Sequence, residues 1–230
     1  MSTLLRIILI TSLAASAAIV FGCGSTGSAK INPPAQERPL KTPEISGKRP
    51  KIIAFGDSLT AGFGLATKES YPYLLQEKLN ADNYDYEVVN AGVSGDTTLG
   101  GLERSDWVLD QDNAKILVLE LGANDMLRGI SPAKAKANLD KIITKAKQRN
   151  MKVLLCGMLA PPSVGAKYQQ EFTTLFPDLA SEHKIEFLPF LLENVALKKE
   201  LNQADGIHPN PEGERIMTDN IYKALKPMLD

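Results

Sequence analysis

From Lys51 onward the chain alternates short apolar runs with longer segments whose apolar residues recur at helical spacing. KIIAFG (51–56), YEVVN (86–90), AKILVLELG (114–122), MKVLLCG (151–157) and KIEFLP (184–189) predict five strands. Among them, YPYLLQEKL (71–79), TTLGGLERSDWVL (97–109), SPAKAKANLDKIITKAKQRN (131–150), YQQEFTTLFPDLASEH (168–183) and PEGERIMTDNIYKALKPML (211–229) predict helices. The third helix has its own start signal, with Ser131 as N-cap and Pro132 in the first helical position. Strands that are apolar throughout need cover on both faces. Their alternation with helices therefore predicts an α/β fold, a three-layer sandwich around a five-stranded parallel sheet. At 230 residues and 43% hydrophobic, the chain has material for one sizeable core, and no internal repeat divides it.

In sheets of this kind, ligands bind outside the carboxyl ends of the strands, where the strand order reverses. Four polar blocks fall at such positions. Gly56-Asp57-Ser58-Leu59-Thr60 follows the first strand, where a serine can present its hydroxyl at the mouth of the sheet and its backbone N–H to a developing oxyanion. Thr60 stands where a G-x-S-x-G elbow requires glycine, which argues against an ordinary α/β-hydrolase. The loop Asn90–Thr97 holds Gly95, whose bare backbone admits close approach and offers a second N–H donor. Gly122-Ala123-Asn124-Asp125 follows the third strand, and an asparagine amide there is a neutral donor. Asp205-Gly206-Ile207-His208-Pro209-Asn210 precedes the last helix, with a carboxylate three residues before an imidazole. That spacing lets Asp205 hold the tautomer of His208 and stabilise its cation. His183, the second of two histidines, has no acid at that spacing. Each block taken singly is also an ordinary turn composition.

Together, and in this order, GDSLT, the Gly95 loop, GAND and DGIHPN resemble the consensus blocks of the SGNH (GDSL-type) hydrolases over about residues 51–228. GDSLTAGFG, SYPYLLQ, GANDMLRG, APPSVGAKY and GIHPNPEG are similar to the thioesterase/arylesterase/lysophospholipase branch. The resemblance implies a flavodoxin-like sheet, a Ser58–His208–Asp205 triad, and an oxyanion hole made by Ser58 N–H, Gly95 N–H and the Asn124 amide. It implies hydrolysis of acyl esters or thioesters through an acyl-enzyme on Ser58, with Met158–Gly165 lining the acyl site. A carbohydrate or peptidoglycan O-acetyl esterase and an acyltransferase use the same residues and stay open at this point. Two scattered histidines and one cysteine in an apolar run make no ligand cluster, so neither metal nor cofactor is expected.

The first 50 residues read differently. A start with one basic residue, Arg6, leads into an apolar stretch of about 15 residues that fits a secretory signal and is short for a membrane span. Val20-Phe21-Gly22-Cys23 resembles a bacterial lipobox, so residues 1–22 are expected to be a signal peptide and Cys23 to carry lipid. Residues 23–50, with Pro33, Pro34, Pro39, Pro43 and Pro50, read as a tether, and residues 51–230 as the catalytic domain. The expected location is the extracytoplasmic or periplasmic face of a bacterial membrane. The tether carries Lys30, Arg38, Lys41, Lys48 and Arg49 against Glu37 and Glu44, and in a chain of formal net charge -1 this leaves the domain net acidic. Nucleic acid is therefore excluded as a partner. The expected partners are a small acyl ester or lysolipid and, through Cys23, a membrane surface; the expected oligomeric state is monomer.

Overall fold

The structure, a computed structural model, describes residues 49–229. The expected signal peptide, the lipidation site Cys23 and nearly all of the tether lie outside the described residues. β1 (Lys51–Gly56), β2 (Glu87–Gly92), β3 (Ala114–Glu120), β4 (Lys152–Cys156) and β5 (Glu186–Leu188) form one parallel sheet in the order β2-β1-β3-β4-β5. This is the flavodoxin-like order, and its switch point falls between β1 and β3. The seven α-helices among the described residues are α1 (Ser58–Ala61), α2 (Tyr71–Ala81), α3 (Thr98–Leu109), α4 (Ala123–Leu127), α5 (Pro132–Gln148), α6 (Ala166–His183) and α7 (Pro211–Leu225). Right-handed crossovers put α2 on one face and α3, α5 and α6 on the other. The neighbours agree: α3 packs on α5 and α5 on α6, while α7 closes against α2.

Burial follows strand position. Ile52, Ile53, Phe55, Leu117, Leu119 and Leu155, on β1, β3 and β4, are fully buried between the two helical layers. Val88 and Val89, on the edge strand β2, are only half-buried. Cys156, the single cysteine among the described residues, is a free buried thiol at the end of β4, where burial raises its pKa.

Helix ends explain where the elements stop. Ser131 and Pro132 open α5 as expected, although the Ser131 side chain makes no capping hydrogen bond. Asn210 caps α7 by accepting from the N–H groups of Glu212 and Gly213, each at 3.1 Å. The segment predicted as one helix to residue 229 leaves α geometry after Leu225 and finishes as a 3-10 turn over Lys226–Met228. Pro227 supplies the reason, since it has no N–H to continue the ladder. α1 and α4, of four and five residues, are too short to show any periodicity in the sequence.

α7 carries one costly group. Glu214 is 1% exposed, accepts from the Tyr71 N–H and leaves Oε2 without a partner. Burial pushes its carboxyl up to about 8. An acid held neutral in the fold and ionised in the unfolded chain makes stability fall as pH rises through the interval between the two values. Between about pH 4.5 and about pH 8 the melting temperature is therefore expected to fall, and Glu214→Gln is expected to flatten that decline. Thermal denaturation of both proteins at pH 5 and pH 8 checks this, and an unchanged slope in the variant refutes it.

Candidate active site

The four blocks converge at the carboxyl edge of the sheet, on either side of the switch point. The chain leaves β1 through Asp57, whose Oδ1 accepts from Leu59 N–H at 3.1 Å and caps α1. This turn puts Ser58 at the first position of α1, facing the mouth. Ser58 Oγ lies 2.9 Å from His208 Nε2, and His208 Nδ1 lies 2.7 Å from Asp205 Oδ2. Asp205 Oδ1 also accepts from the N–H groups of Ile207 and His208, both at 3.0 Å. The hydrogen bond from His208, followed by that from Ile207 N–H, lowers the Asp205 pKa to about 2. Asp205 is therefore ionised and can only accept. The imidazole proton then sits on Nδ1, and Nε2 is left to accept from the serine hydroxyl.

Local structure holds the histidine loop in place. Gly206 takes a left-handed backbone, φ 77°, that closes the turn between Asp205 and His208. Gln203 N–H donates to His208 O at 2.8 Å, and Gln203 Nε2 donates to Phe63 O at 2.7 Å and Pro209 O at 2.9 Å. The Phe63 ring lies against the imidazole with centroids 4.7 Å apart. Gln203 and Phe63 thus join the histidine loop to the segment after α1, a link with no sequence signal beyond the block itself.

The other half of the site is fixed by two arginines that the sequence reading did not single out. Arg104, on α3, donates to Asp96 Oδ2 at 2.7 Å, Ala91 O at 2.8 Å and Gly56 O at 3.0 Å. One guanidinium thereby ties the Gly95 loop to the ends of β1 and β2. Arg128 Nη2 donates to Gly95 O at 2.6 Å, which joins the same loop to the end of α4. Gly95 itself has φ 82°, a conformation a side chain would strain. Asp125 is fully buried and accepts from Thr98 N–H at 2.8 Å and Thr98 Oγ1 at 2.6 Å, so α4 is pinned to the start of α3. Asn124 Nδ2 donates to Asp57 Oδ2 at 2.9 Å.

Ser58, Gly95, Asn124 and His208 share one cavity of about 300 Å³. The rest of its wall is largely apolar and includes Met126, Met158, Phe190 and Leu192. Of the expected loop Met158–Gly165, only Met158 and Leu159 reach the cavity, and the segment from Phe190 to Leu197 supplies the remaining side. The apolar run LPFLLENVAL was the available signal for that wall. Ser58, Gly95 and Asn124 all line this cavity beside the nucleophile, where an oxyanion hole would draw on their donors. Asn124→Ala is expected to lower kcat by about two to three orders of magnitude with KM little changed. Steady-state kinetics decides it; turnover within a few-fold of wild type removes Asn124 from the hole.

Comparison with known proteins bears on nearly the whole of the domain that carries this site. Residues 54–216 match the model of the GDSL-like lipase/acylhydrolase family. The chain is 40% identical over 178 residues to Esterase TesA of Pseudomonas aeruginosa, covering 77% of this chain and 89% of that protein. It is 36% identical over 179 residues to the Escherichia coli K12 protein named thioesterase 1/protease 1/lysophospholipase L1, covering 78% and 85%. Among solved structures, AlinE4, an SGNH-hydrolase family esterase, superposes with a TM-score of 0.67 at 44% identity, covering 80% of this chain and 98% of that one.

Proposed function

This chain belongs to the GDSL-like lipase/acylhydrolase family and is an ester-hydrolysing serine hydrolase, and we propose that Ser58 carries its acyl-enzyme and that acyl-chain esters, thioesters or lysolipids are its substrates. The observation that carries this reading is the unbroken Ser58–His208–Asp205 chain on the wall of a mostly apolar cavity. His208 Nε2 takes the Ser58 hydroxyl proton as Oγ attacks the acyl carbon. The carbonyl oxygen gains charge among the N–H groups of Ser58 and Gly95 and the Asn124 amide. Collapse of this intermediate expels an alcohol or thiol, which leaves with the proton from Nε2. Water then repeats the sequence on the acyl-enzyme, giving back the serine and a carboxylic acid.

The apolar wall favours substrates with a chain to bury. Each methylene removed from water contributes about 0.8 kcal/mol, or roughly fourfold in binding. Turnover of p-nitrophenyl esters from acetate to palmitate, beside Ser58→Ala, tests both parts of the proposal. kcat/KM is expected to climb by up to about fourfold per methylene until the cavity is filled, and Ser58→Ala is expected to abolish it. A preference for acetate would point to an O-acetyl esterase, and a folded protein inert toward every ester would point to transfer onto another alcohol.

Membrane attachment is part of the same proposal. Lipid on Cys23 would hold the domain at the extracytoplasmic face of a bacterial membrane, where acyl esters and lysolipids are presented. Leu127, Leu159 and Leu197, exposed by 61%, 47% and 97%, stand at the cavity mouth and suit an acyl chain extending beyond it. In cells fed labelled palmitate, label and membrane association are expected to disappear in Cys23→Ser; retention of both argues against lipidation there.

A further inference from the structure

Directly beneath the nucleophile lie two carboxyl groups that the reaction itself does not use. Asp57 is 1% exposed and Glu120, the last residue of β3, is fully buried. Glu120 Oε2 accepts from Asp57 N–H at 3.1 Å and from Thr60 Oγ1 at 2.9 Å, while Glu120 Oε1 has no partner. Asp57 spends both carboxylate oxygens on donors, Oδ1 on Leu59 N–H and Oδ2 on Asn124 Nδ2. Burial raises both pKa values, and the Asp57 charge raises that of Glu120 further, well above the usual carboxylate range, so the neutral form is favoured on Glu120. On Asp57 a donor on each oxygen and the nearby His208 oppose that rise and favour the charged form.

An ionised carboxylate accepts and cannot donate. Whatever faces Asp57 Oδ2 must therefore be the NH₂ end of the Asn124 amide, never its carbonyl. One hydrogen of that NH₂ is used on Asp57, and the other remains for the substrate oxygen. We propose that Asp57 is a positioning residue, whose charge fixes the Asn124 amide with its donor, rather than its acceptor, turned into the oxyanion hole. Glu120 serves the same end by holding the Asp57 backbone with a group that adds no second negative charge beneath the developing oxyanion. The proposal rests on the reading of Asn124 as an oxyanion donor.

It makes the conservative substitution the damaging one. In Asp57→Asn, the new amide keeps the α1 cap by turning its carbonyl to Leu59 N–H, which points its own NH₂ at Asn124. Asn124 then gains a hydrogen bond by flipping, and the flip places a carbonyl oxygen in the hole. Asp57→Ala loses the cap but leaves the Asn124 amide free to turn its donor toward the substrate. A merely structural Asp57 predicts the reverse order, since alanine loses more packing and more hydrogen bonds than asparagine does.

The experiment is a double-mutant cycle on the full chain with a soluble short-chain ester, with Asp57→Asn and Asp57→Ala each made in wild-type and Asn124→Ala backgrounds. Asp57→Asn is expected to lower kcat about a hundredfold, Asp57→Ala less than tenfold, and neither to move KM by more than a few-fold. In the Asn124→Ala background both are expected to change kcat by less than about threefold. Melting temperature is expected to follow the opposite order, with alanine the less stable variant. An alanine variant as slow as the asparagine variant overturns the proposal, and so does an undiminished asparagine effect once Asn124 is gone. An unimpaired Asn124→Ala enzyme sinks the oxyanion assignment itself, a separate result. If the Asp57 variants do not fold, solvent exchange of the Asn124 side-chain amide in the unsubstituted protein decides: the proton donated to Asp57 is expected to be protected. Equally fast exchange of both protons would mean that nothing holds it and overturns the proposal.

Discussion

At the carboxyl end of β1 there is no room for a side chain, and the site depends on that. A Cβ on Gly56 would lie 2.0 Å from Thr60 Oγ1 and 2.3 Å from Glu120 Oε2, and one on Gly92 would lie 2.3 Å from Ala61 N. Two neighbouring strands thus end in bare backbone, and α1 settles directly on them. The same bareness lets Glu120 reach from β3 to the first turn of α1 and lets Arg104 reach the carbonyl of Gly56. Hydrophobic burial sets the sheet, but these close approaches decide where the serine points.

The acids around the nucleophile divide by exposure, and the division decides what each can do. Asp205 sits where water reaches it, beside the groups that donate to it, and stays charged through the working range. Glu120 is fully buried beside Asp57, and burial followed by the Asp57 charge pushes its carboxyl well up, toward the neutral form. Asp57 lies between these cases, buried yet supplied with donors. Three carboxyl groups lie near one serine without a stack of like charges, because low dielectric and hydrogen bonding push their protonation states apart.

The sheet was legible because parallel strands buried on both faces write their burial as continuous apolar runs. The helices α3, α5 and α6 were legible because each is longer than the repeat that reveals it. α1 and α4 were not, although they carry Ser58 and Asn124. α1 depends on a single Asp57 cap, and α4 on Asp125 reaching Thr98, 27 residues away in the chain. The residues brought to the mouth could be named from the four blocks taken together, three after strands and one before the last helix. Those that hold them, such as Arg104 and Gln203, could not, since apart from Asp96 their partners are backbone carbonyls with no identity in sequence. Ser131 shows the opposite limit, a residue of the right type at the right place whose hydroxyl makes no capping bond.

The triad draws on the chain very unevenly. Asp205 and His208 share one short turn, closed by its own hydrogen bonds, whereas Ser58 lies 150 residues from His208. Within the triad only the Ser58–His208 contact is long-range, and the turn that carries His208 leads directly into the last helix. That helix begins two residues after Pro209, buries the neutral Glu214, and is moored to α2 by Lys78–Asp219 and to the following turn by Asp82 with Tyr222 and Lys226. A partial opening that lifts α7 would break the proton path while the other helices and the central strands stayed in place. Were α7 to lift before the sheet melts, turnover would report on the seating of the final helix before it reported on the fold.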